Sequence, residues 1–419
     1  MRVYFSGIGG AGIGPLAEIA LDAGYSVIGS DLNESLFTKE LENRGIKVFY
    51  NQDGKDIKIE HDKQPIDWFV YTSALADNHP ELTFARANNI RTSKRDEFLS
   101  EFIEKNELKL IAVTGTHGKT TTTGMLVWAF RELNIATSYS IGTTISFGTS
   151  GKFDPNSKYF IYEADEYDRN FLKFYPKFAI LPCVDYDHRD IFPTIEDYKQ
   201  AFRDFINQSE KTFMFDKTLA YLEPVSGDIE AFEHITTIDE IGLPGQANRD
   251  NAYLVAQVIS EITKKPLKEI FAILSNYPGV ERRFEKLADG IYSDYGHHPT
   301  EIVATIQLAR EINPNVVVVY QPHQNERQIE LIDKYKDAFN GVKKLYWLPT
   351  YLPPGDREKS NRILMPGDFI ETLDNPEIAQ PAQMNDNLWN DIKNHQKDGD
   401  LVLLMSAGSA DAWLRKLLC

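Results

Sequence analysis

Two cysteines in 419 residues, Cys183 and Cys419, are too few and too far apart for a disulfide framework. That scarcity excludes the small disulfide-stapled folds and fits a reducing compartment. Long apolar runs are missing as well, since none approaches the ~18 residues a membrane-spanning helix needs. Positive charge is in deficit, with 45 Lys and Arg against 62 Asp and Glu and a net charge of −17. A nucleic-acid or anionic-membrane surface wants the opposite balance, so neither partner is expected, although local basic pockets for phosphates stay open. There is no short-period repeat and no low-complexity tract. Met1-Arg2 runs straight into a strand-like segment and a glycine loop, so no signal peptide is predicted and a cytoplasmic protein is expected.

What is present is an ordinary globular composition, 42% hydrophobic and 26% charged. The length exceeds what one core usually supports, so two or three domains are expected. Three blocks each begin with a strand, a turn and a helix, the α/β pattern. The first opens on "VYFSGIGGAGIG" and adds strands at "YSVIGSD" and "DWFVYTSAL"; the second opens on "LKLIAVTG" and continues through "KYFIYEAD" and "KFAILPCV". The third carries "VVVVY", "KKLYWLP" and "DLVLLM". The stretch 216–243 is irregular and predicts no element.

Gly7-Ile8-Gly9-Gly10-Ala11-Gly12 fits G-x-G-x-x-G between a strand and a helix, with the acidic Asp31 about 20 positions on. Such a loop lets backbone N–H groups approach a diphosphate. The pattern admits NAD, FAD or a nucleotide sugar equally, and a ligand-free turn is the plain alternative. A second loop, Gly115-Thr116-His117-Gly118-Lys119-Thr120-Thr121, carries the Gly-Lys-Thr core of a phosphate loop with two residues between its glycines where the usual loop has four. There Lys119 offers a point charge to terminal phosphates and Thr120 a hydroxyl to Mg²⁺, which predicts a nucleoside triphosphate.

"YEADEYDRNF" places Glu163, Asp165, Glu166 and Asp168 at a strand end, where clustered carboxylates repel unless a cation joins them. Mg²⁺ beside a triphosphate needs only one or two of them. "FAILPCVDYDHRD" brings His188 to the same end of a partner strand, although a lone histidine is more often structural. Near the start of the third block, "GVERRFE" holds Arg282 and Arg283, and "YSDYGHHPTEI" predicts a helix entry at His298-Pro299 with Glu301 in its first turn.

Together these stretches resemble the Mur ligases, the ATP-dependent amide-forming enzymes of peptidoglycan synthesis. The resemblance covers nearly the whole chain in order and rests on "GIGGAGIGPLAEIALDAGYSVIGSD", "GTHGKTTTT", "EADEYD", "DHRD", "GVERRFE", "DYGHHPTEI" and "QPH". It implies an α/β fold of three domains. These are a Rossmann-like substrate domain over 1–103, a P-loop ATPase-like central domain with a parallel or mixed sheet over 104–276, and a Rossmann-like amino-acid domain over 277–419. The implied substrates are UDP-N-acetylmuramate and L-alanine, with ATP and Mg²⁺ as cofactors and a monomer or homodimer as the working form. "EADEYD" and "DHRDIF" are also similar to the recycling ligase, which attaches the tripeptide L-alanyl-γ-D-glutamyl-meso-diaminopimelate; "DYGHHPTE" and "QPH" favour L-alanine.

The resemblance also implies roles. Gly7, Gly9, Gly10, Ala11, Gly12, Asp31 and Ser73 would bind the UDP-linked substrate. Gly115, Thr116, His117, Gly118, Lys119, Thr120 and Thr121 would bind ATP, with Asn248 and Asn251 near its adenine and ribose and Arg283 and Asp294 reaching it from the last domain. Thr120 and Glu163 would hold one Mg²⁺, and His188 would help position a second. His298 and Arg327 would form the amino-acid pocket, with Lys119, Glu163, His188 and His298 counted as catalytic. Two positions depart from the family pattern: Ala247 stands where a histidine precedes Asn248, and Gln324 where an arginine follows the histidine of "QPH". Two readings outside the ligases are a dehydrogenase on the first glycine loop, which leaves "GTHGKTTTT" unexplained, and a non-catalytic UDP-sugar sensor.

Overall fold

β1 (Arg2–Ser6) is buried at every residue, as a parallel strand covered on both faces should be. In the computed structural model, which describes residues 1–72, 75–234, 241–353, 356 and 362–418, it is the centre of the first of three sheets. Its partners are β2 (Ser26–Ser30), β3 (Lys47–Phe49), β4 (Trp68–Tyr71) and β5 (Arg91–Lys94), all parallel, in the order β3-β2-β1-β4-β5. The order reverses between β1 and β4, which opens a crevice at the carboxyl ends of the strands where the first glycine loop leaves β1. Ser73, just past β4, lies outside the described residues.

The second sheet comprises β6 (Lys109–Val113), β7 (Thr137–Ser140), β8 (Gly151–Lys152), β9 (Tyr159–Glu163), β10 (Phe178–Leu181), β11 (Lys211–Phe215) and β12 (Ile229–Phe232). Its order is β12-β11-β10-β6-β9-β7-β8, parallel except for the β7–β8 hairpin. The irregular stretch after residue 215 resolves into a helix, Asp216–Leu222, and β12. β12 is a half-buried edge strand of four residues, "IEAF", too short to show a period.

The third sheet holds β13 (Glu285–Ala288), β14 (Ile291–Asp294), β15 (Val316–Gln321), β16 (Lys344–Trp347), β17 (Ala379–Pro381) and β18 (Leu401–Ser406). Their order is β13-β14-β18-β15-β16-β17, with only β13 antiparallel. β15, "VVVVYQ", is buried throughout. Its β-branched residues pack one core through Val316 and Val318 and another, on the opposite face, through Val317 and Val319.

The chain divides into two compact units, residues 1–235 with 250–278 and residues 236–249 with 279–419. The first unit holds two sheets because they share one core, in which Phe5, Trp68 and Phe98 belong to the first and Phe160, Phe171 and Phe202 to the second. Helix Gly14–Asp22 adds polar ties across that seam. Glu18 accepts a hydrogen bond from the Gly151 N–H at 2.7 Å, and Asp22 accepts one from the Phe153 N–H at 2.9 Å. Gly151 is required there, since a Cβ would fall 2.0 Å from the Pro15 carbonyl oxygen. No helix among the described residues is long and apolar enough to cross a membrane.

Candidate active site

β6 delivers the second loop to the carboxyl end of its sheet, and the end of β10 clamps it. Gly115 has φ +137° and sits so close to that segment that a Cβ would lie 2.6 Å from the Cys183 oxygen. Thr116 donates its N–H to that same oxygen at 2.8 Å, and its hydroxyl accepts the Asp185 N–H at 2.8 Å. The Tyr198 hydroxyl lies 2.7 Å from the Thr116 hydroxyl, and a short bridge joins His117 to Cys183. Gly118, with φ +86°, caps the helix Lys119–Glu132, so Lys119, Thr120 and Thr121 form its first turn. Its N-terminal N–H groups and the helix dipole favour an anion at this point.

The Lys119 ammonium contacts both oxygens of the Glu166 carboxylate, at 2.8 and 3.0 Å, and donates to the carbonyls of Gly115 and Thr116. Burial works against its charge, but Glu166 and then Asp165 hold its pKa above the ordinary lysine value. Thr120 donates its hydroxyl to Glu163 Oε1 at 2.7 Å, and Glu163 Oε2 accepts the Gly142 N–H at 2.9 Å. These oxygen donors suit a hard cation such as Mg²⁺, which binds one or two protein oxygens and completes its shell with phosphate and water.

The acidic stretch turns sharply after β9 through a 3₁₀ segment, Tyr167–Lys173, in which Asp168 and Arg169 hold φ of 54° and 56°. The turn sends its carboxylates to separate partners. Glu166 is fully buried on Lys119, with the His188 Nε2 3.7 Å from its Oε1. Asp165 takes the Arg95 guanidinium at 2.9 Å, and Asp168 lies 3.5 Å from the Lys94 ammonium. Burial opposes ionisation of Asp165, yet Lys119 and then Arg95 hold its pKa below the usual carboxylate value. Asn251 closes the other side of the loop, its Oδ1 3.1 Å from where a Gly118 Cβ would stand.

The first loop is built differently. Gly7, with φ +81°, and Ile8 donate to the Ser30 carbonyl at 2.8 and 2.9 Å, which pins the loop to β2. Gly9 donates to Asp31 Oδ2 at 2.8 Å, and Leu32 donates to Oδ1 of the same carboxylate. Asp31 thus braces the glycine loop. Gly10 and Ala11 are exposed at the tip, and Gly12 meets the Arg95 guanidinium before the helix begins at Gly14.

In the second unit, Asn248 donates to the Pro244 carbonyl at 3.0 Å. Asp294, at the end of β14, accepts the N–H groups of Phe284 and Gly296 at 2.8 and 2.6 Å, while burial raises its pKa. Arg283 lies 3.9 Å from Glu301 and over the Tyr295 ring. His298 caps the helix Pro299–Ile312: its Nδ1 accepts the Thr300 N–H, and Glu301 returns the contact to its backbone N–H. Its neighbour His297 is the one that meets Arg327, with Arg327 Nη1 2.7 Å from His297 Nε2. Burial first, and Arg327 second, push the His297 pKa down to about 3. A neutral ring accepting from Arg327 carries its proton on Nδ1, which is 3.1 Å from the Tyr295 carbonyl.

Three family models match the chain in succession: the Mur ligase family catalytic domain over residues 2–107, the Mur ligase middle domain over 113–218, and the Mur ligase glutamate ligase domain over 282–408. The chain belongs to the Mur ligase family. Among its relatives, the UDP-N-acetylmuramate–L-alanine ligase of Clostridium novyi is 32% identical over 97% of this chain and 95% of its own. Among solved structures, the UDP-N-acetylmuramate–alanine ligase of Thermotoga maritima aligns with a TM-score of 0.77 at 21% identity, covering 100% of this chain and 98% of that one. A murein peptide ligase of Psychrobacter arcticus aligns at 0.67 and 23% identity, covering 100% and 98%. Both alignments show the Mur ligase fold.

Within this Mur ligase, the first unit brings Lys119, Thr120, Glu163, His188 and Asn251 around one loop, and Gly7 to Gly12 with Asp31 around the other. His298, Arg327, Arg283 and Asp294 belong to the second unit. Sequence reasoning missed Glu166 as the lysine's partner, Arg95 on the first loop and His297 beside Arg327. "EADEYD" and "GHHP" held the first and third in plain view, but nothing local singled them out. For Arg95 there was no signal.

Proposed function

We propose that this Mur ligase joins L-alanine to the carboxylate of UDP-N-acetylmuramate, consuming ATP and releasing ADP and phosphate, in the synthesis of peptidoglycan precursors in the cytoplasm. We assign the domains to 1–103, 104–276 and 277–419, with the segment 236–249 clustering with the last of them. The observation that carries the reading is the pair of glycine loops in one compact unit, one holding a lysine beside oxygen donors and the other holding no lysine. Two nucleotides of different kinds suit that pair. The relatives named for L-alanine addition support this amine over the tripeptide.

A carboxylate is a poor electrophile, so the substrate carboxylate first attacks the γ-phosphorus of ATP. The P–O bond to the β-phosphate breaks, and ADP leaves with that electron pair. The α-amine of L-alanine then adds to the carbonyl of the acyl phosphate, loses a proton and expels phosphate. Lys119 neutralises charge on the transferring phosphoryl group, and N–H groups at the start of the helix Lys119–Glu132 cradle its oxygens. Mg²⁺, when bound by Thr120 and Glu163 and aided by His188, supplies electrostatic stabilisation of the phosphate oxygens. Asn248 and Asn251 are assigned to the nucleoside of ATP, Arg283 and Asp294 to ATP as well, and His298 and Arg327 to the amino acid. Ser73 joins Gly7 to Gly12 in holding the UDP-linked substrate.

The test is phosphate release with ATP and UDP-N-acetylmuramate across a panel of amino acids and the tripeptide. L-alanine is expected to give the highest kcat/KM. A preference for the tripeptide would replace this reading with the recycling reaction.

A further inference from the structure

We propose that Arg95 is a ligand of the diphosphate in the N-terminal glycine loop, and that Gly12 is a glycine in order to make room for it. This rests on the assignment of that loop to a UDP-linked substrate. "GIGGAGIG" offers backbone N–H groups but contains no cationic side chain, whereas a diphosphate brings at least two negative charges. The fold supplies the missing cation from elsewhere. β5 lies in the same parallel sheet as β1, so its carboxyl end opens onto the same crevice, and Arg95 is the first residue after it.

The guanidinium lies directly on the loop. Its Nη1 stands 2.0 Å from where a Cβ on Gly12 would be, and the three atoms nearest to that point all belong to Arg95. Gly12 is not among the residues with positive φ, so no left-handed backbone calls for a glycine there, and Arg95 is what an added side chain would meet first. On its far side the guanidinium is held through Nη2 by Asp165 at 2.9 Å. Its Nε is buried and has no hydrogen-bond partner. That Nε–H lies on the Asp165 side, so the donor turned to the loop is Nη1, and a phosphate oxygen there would accept from it in a charge-assisted pair. Asp165 stands two residues from Glu163 and next to Glu166, so this residue also ties an occupied first loop to the acidic stretch of the second.

The alternative is that Arg95 only braces the seam with Asp165. UDP and uridine, titrated into the full-length chain by ligand-observed NMR, separate the two. Arg95→Ala is expected to weaken UDP at least ~10-fold, the scale of a lost charge-assisted pair, and uridine less than about twofold. Gly12→Ala should weaken UDP in the same way and add nothing to Arg95→Ala in the double variant. Arg95→Lys, which keeps stem and charge, should recover part of the loss and guards against misfolding. Asp165→Asn should leave most UDP affinity in place. The proposal is overturned by Arg95→Ala that binds UDP like the wild type, by equal losses for UDP and uridine, or by an Asp165→Asn loss matching that of Arg95→Ala. It is overturned too if the wild type binds no UDP. Wild-type UDP binding without amino-acid-dependent ADP release would instead sink the proposed function and leave Arg95 in place.

Discussion

The loop after β1 and the loop after β6 each carry a glycine turn to a helix N-terminus, yet they differ in packing and in the source of their cation. The second is clamped by Cys183, Asp185 and Tyr198, and its lysine is part of the motif, one residue from Gly118. The first is open at Gly10 and Ala11, braced by Asp31, and faces an arginine from the start of the helix after β5, more than eighty residues later in sequence. A loop that must stabilise charge moving during phosphoryl transfer needs a fixed cation, because preorganised charge is what lowers the barrier. A loop that only binds a diphosphate can borrow its cation.

The largest effect that would break this contrast concerns Lys119. Lys119→Ala is expected to lower amino-acid-dependent ADP release at least ~10³-fold, the scale of losing a phosphoryl-stabilising cation, with UDP affinity unchanged. Substantial turnover in that variant would remove the second loop from the chemistry. Next comes rigidity. Gly115→Ala places a methyl group in a left-handed position against the Cys183 oxygen and should cost about 1–3 kcal/mol in urea denaturation. Gly10→Ala meets only the Gly7 oxygen at 3.3 Å, on an exposed tip, and should cost less than about 0.5 kcal/mol. Equal costs would mean that the two loops are equally tight.

A smaller effect probes the seam that keeps the loops in one unit. Burial pushes the Glu18 carboxyl up to about 7 from 4.5. Between those values the folded chain keeps a proton that the unfolded chain has lost, so stability falls as pH rises through this window and levels off above it. Glu18→Gln retains an acceptor for the Gly151 N–H and should gain about 1–2 kcal/mol at pH 8, fading to nothing near pH 4.5. Parallel stability–pH curves for variant and wild type would contradict the buried-acid picture. The smallest effect is Asp31→Asn, which weakens the brace on Gly9 and should reduce UDP affinity by about two- to fivefold, as expected for one charged hydrogen bond exchanged for a neutral one.

Much of this was legible without coordinates. Strands β1, β2 and β4 of the first sheet and β6, β9 and β10 of the second follow from local signals, and each glycine loop lies between an apolar strand and a helical period. The capped entry at His298-Pro299 was equally local, since Pro299 suits the first helical position and Glu301 closes the capping box. β12 was not legible, because four half-buried edge residues carry no period. Nor was the choice between His297 and His298. Once His298 turns to the Thr300 N–H, its neighbour is left to face Arg327, and adjacent histidines look alike in a sequence.

The amino-acid sequence by itself determined the two loops, the parallel α/β order and the family, because each depends on neighbours along the chain. The tertiary structure alone decided which carboxylate meets Lys119, which cation reaches Gly12 and which acid grips the central hairpin. Those pairs span 47, 83 and 133 residues in the cases of Lys119 with Glu166, Gly12 with Arg95 and Glu18 with Gly151. Their partners are set by strand order and by one left-handed turn, and a charge pattern along the chain does not encode either.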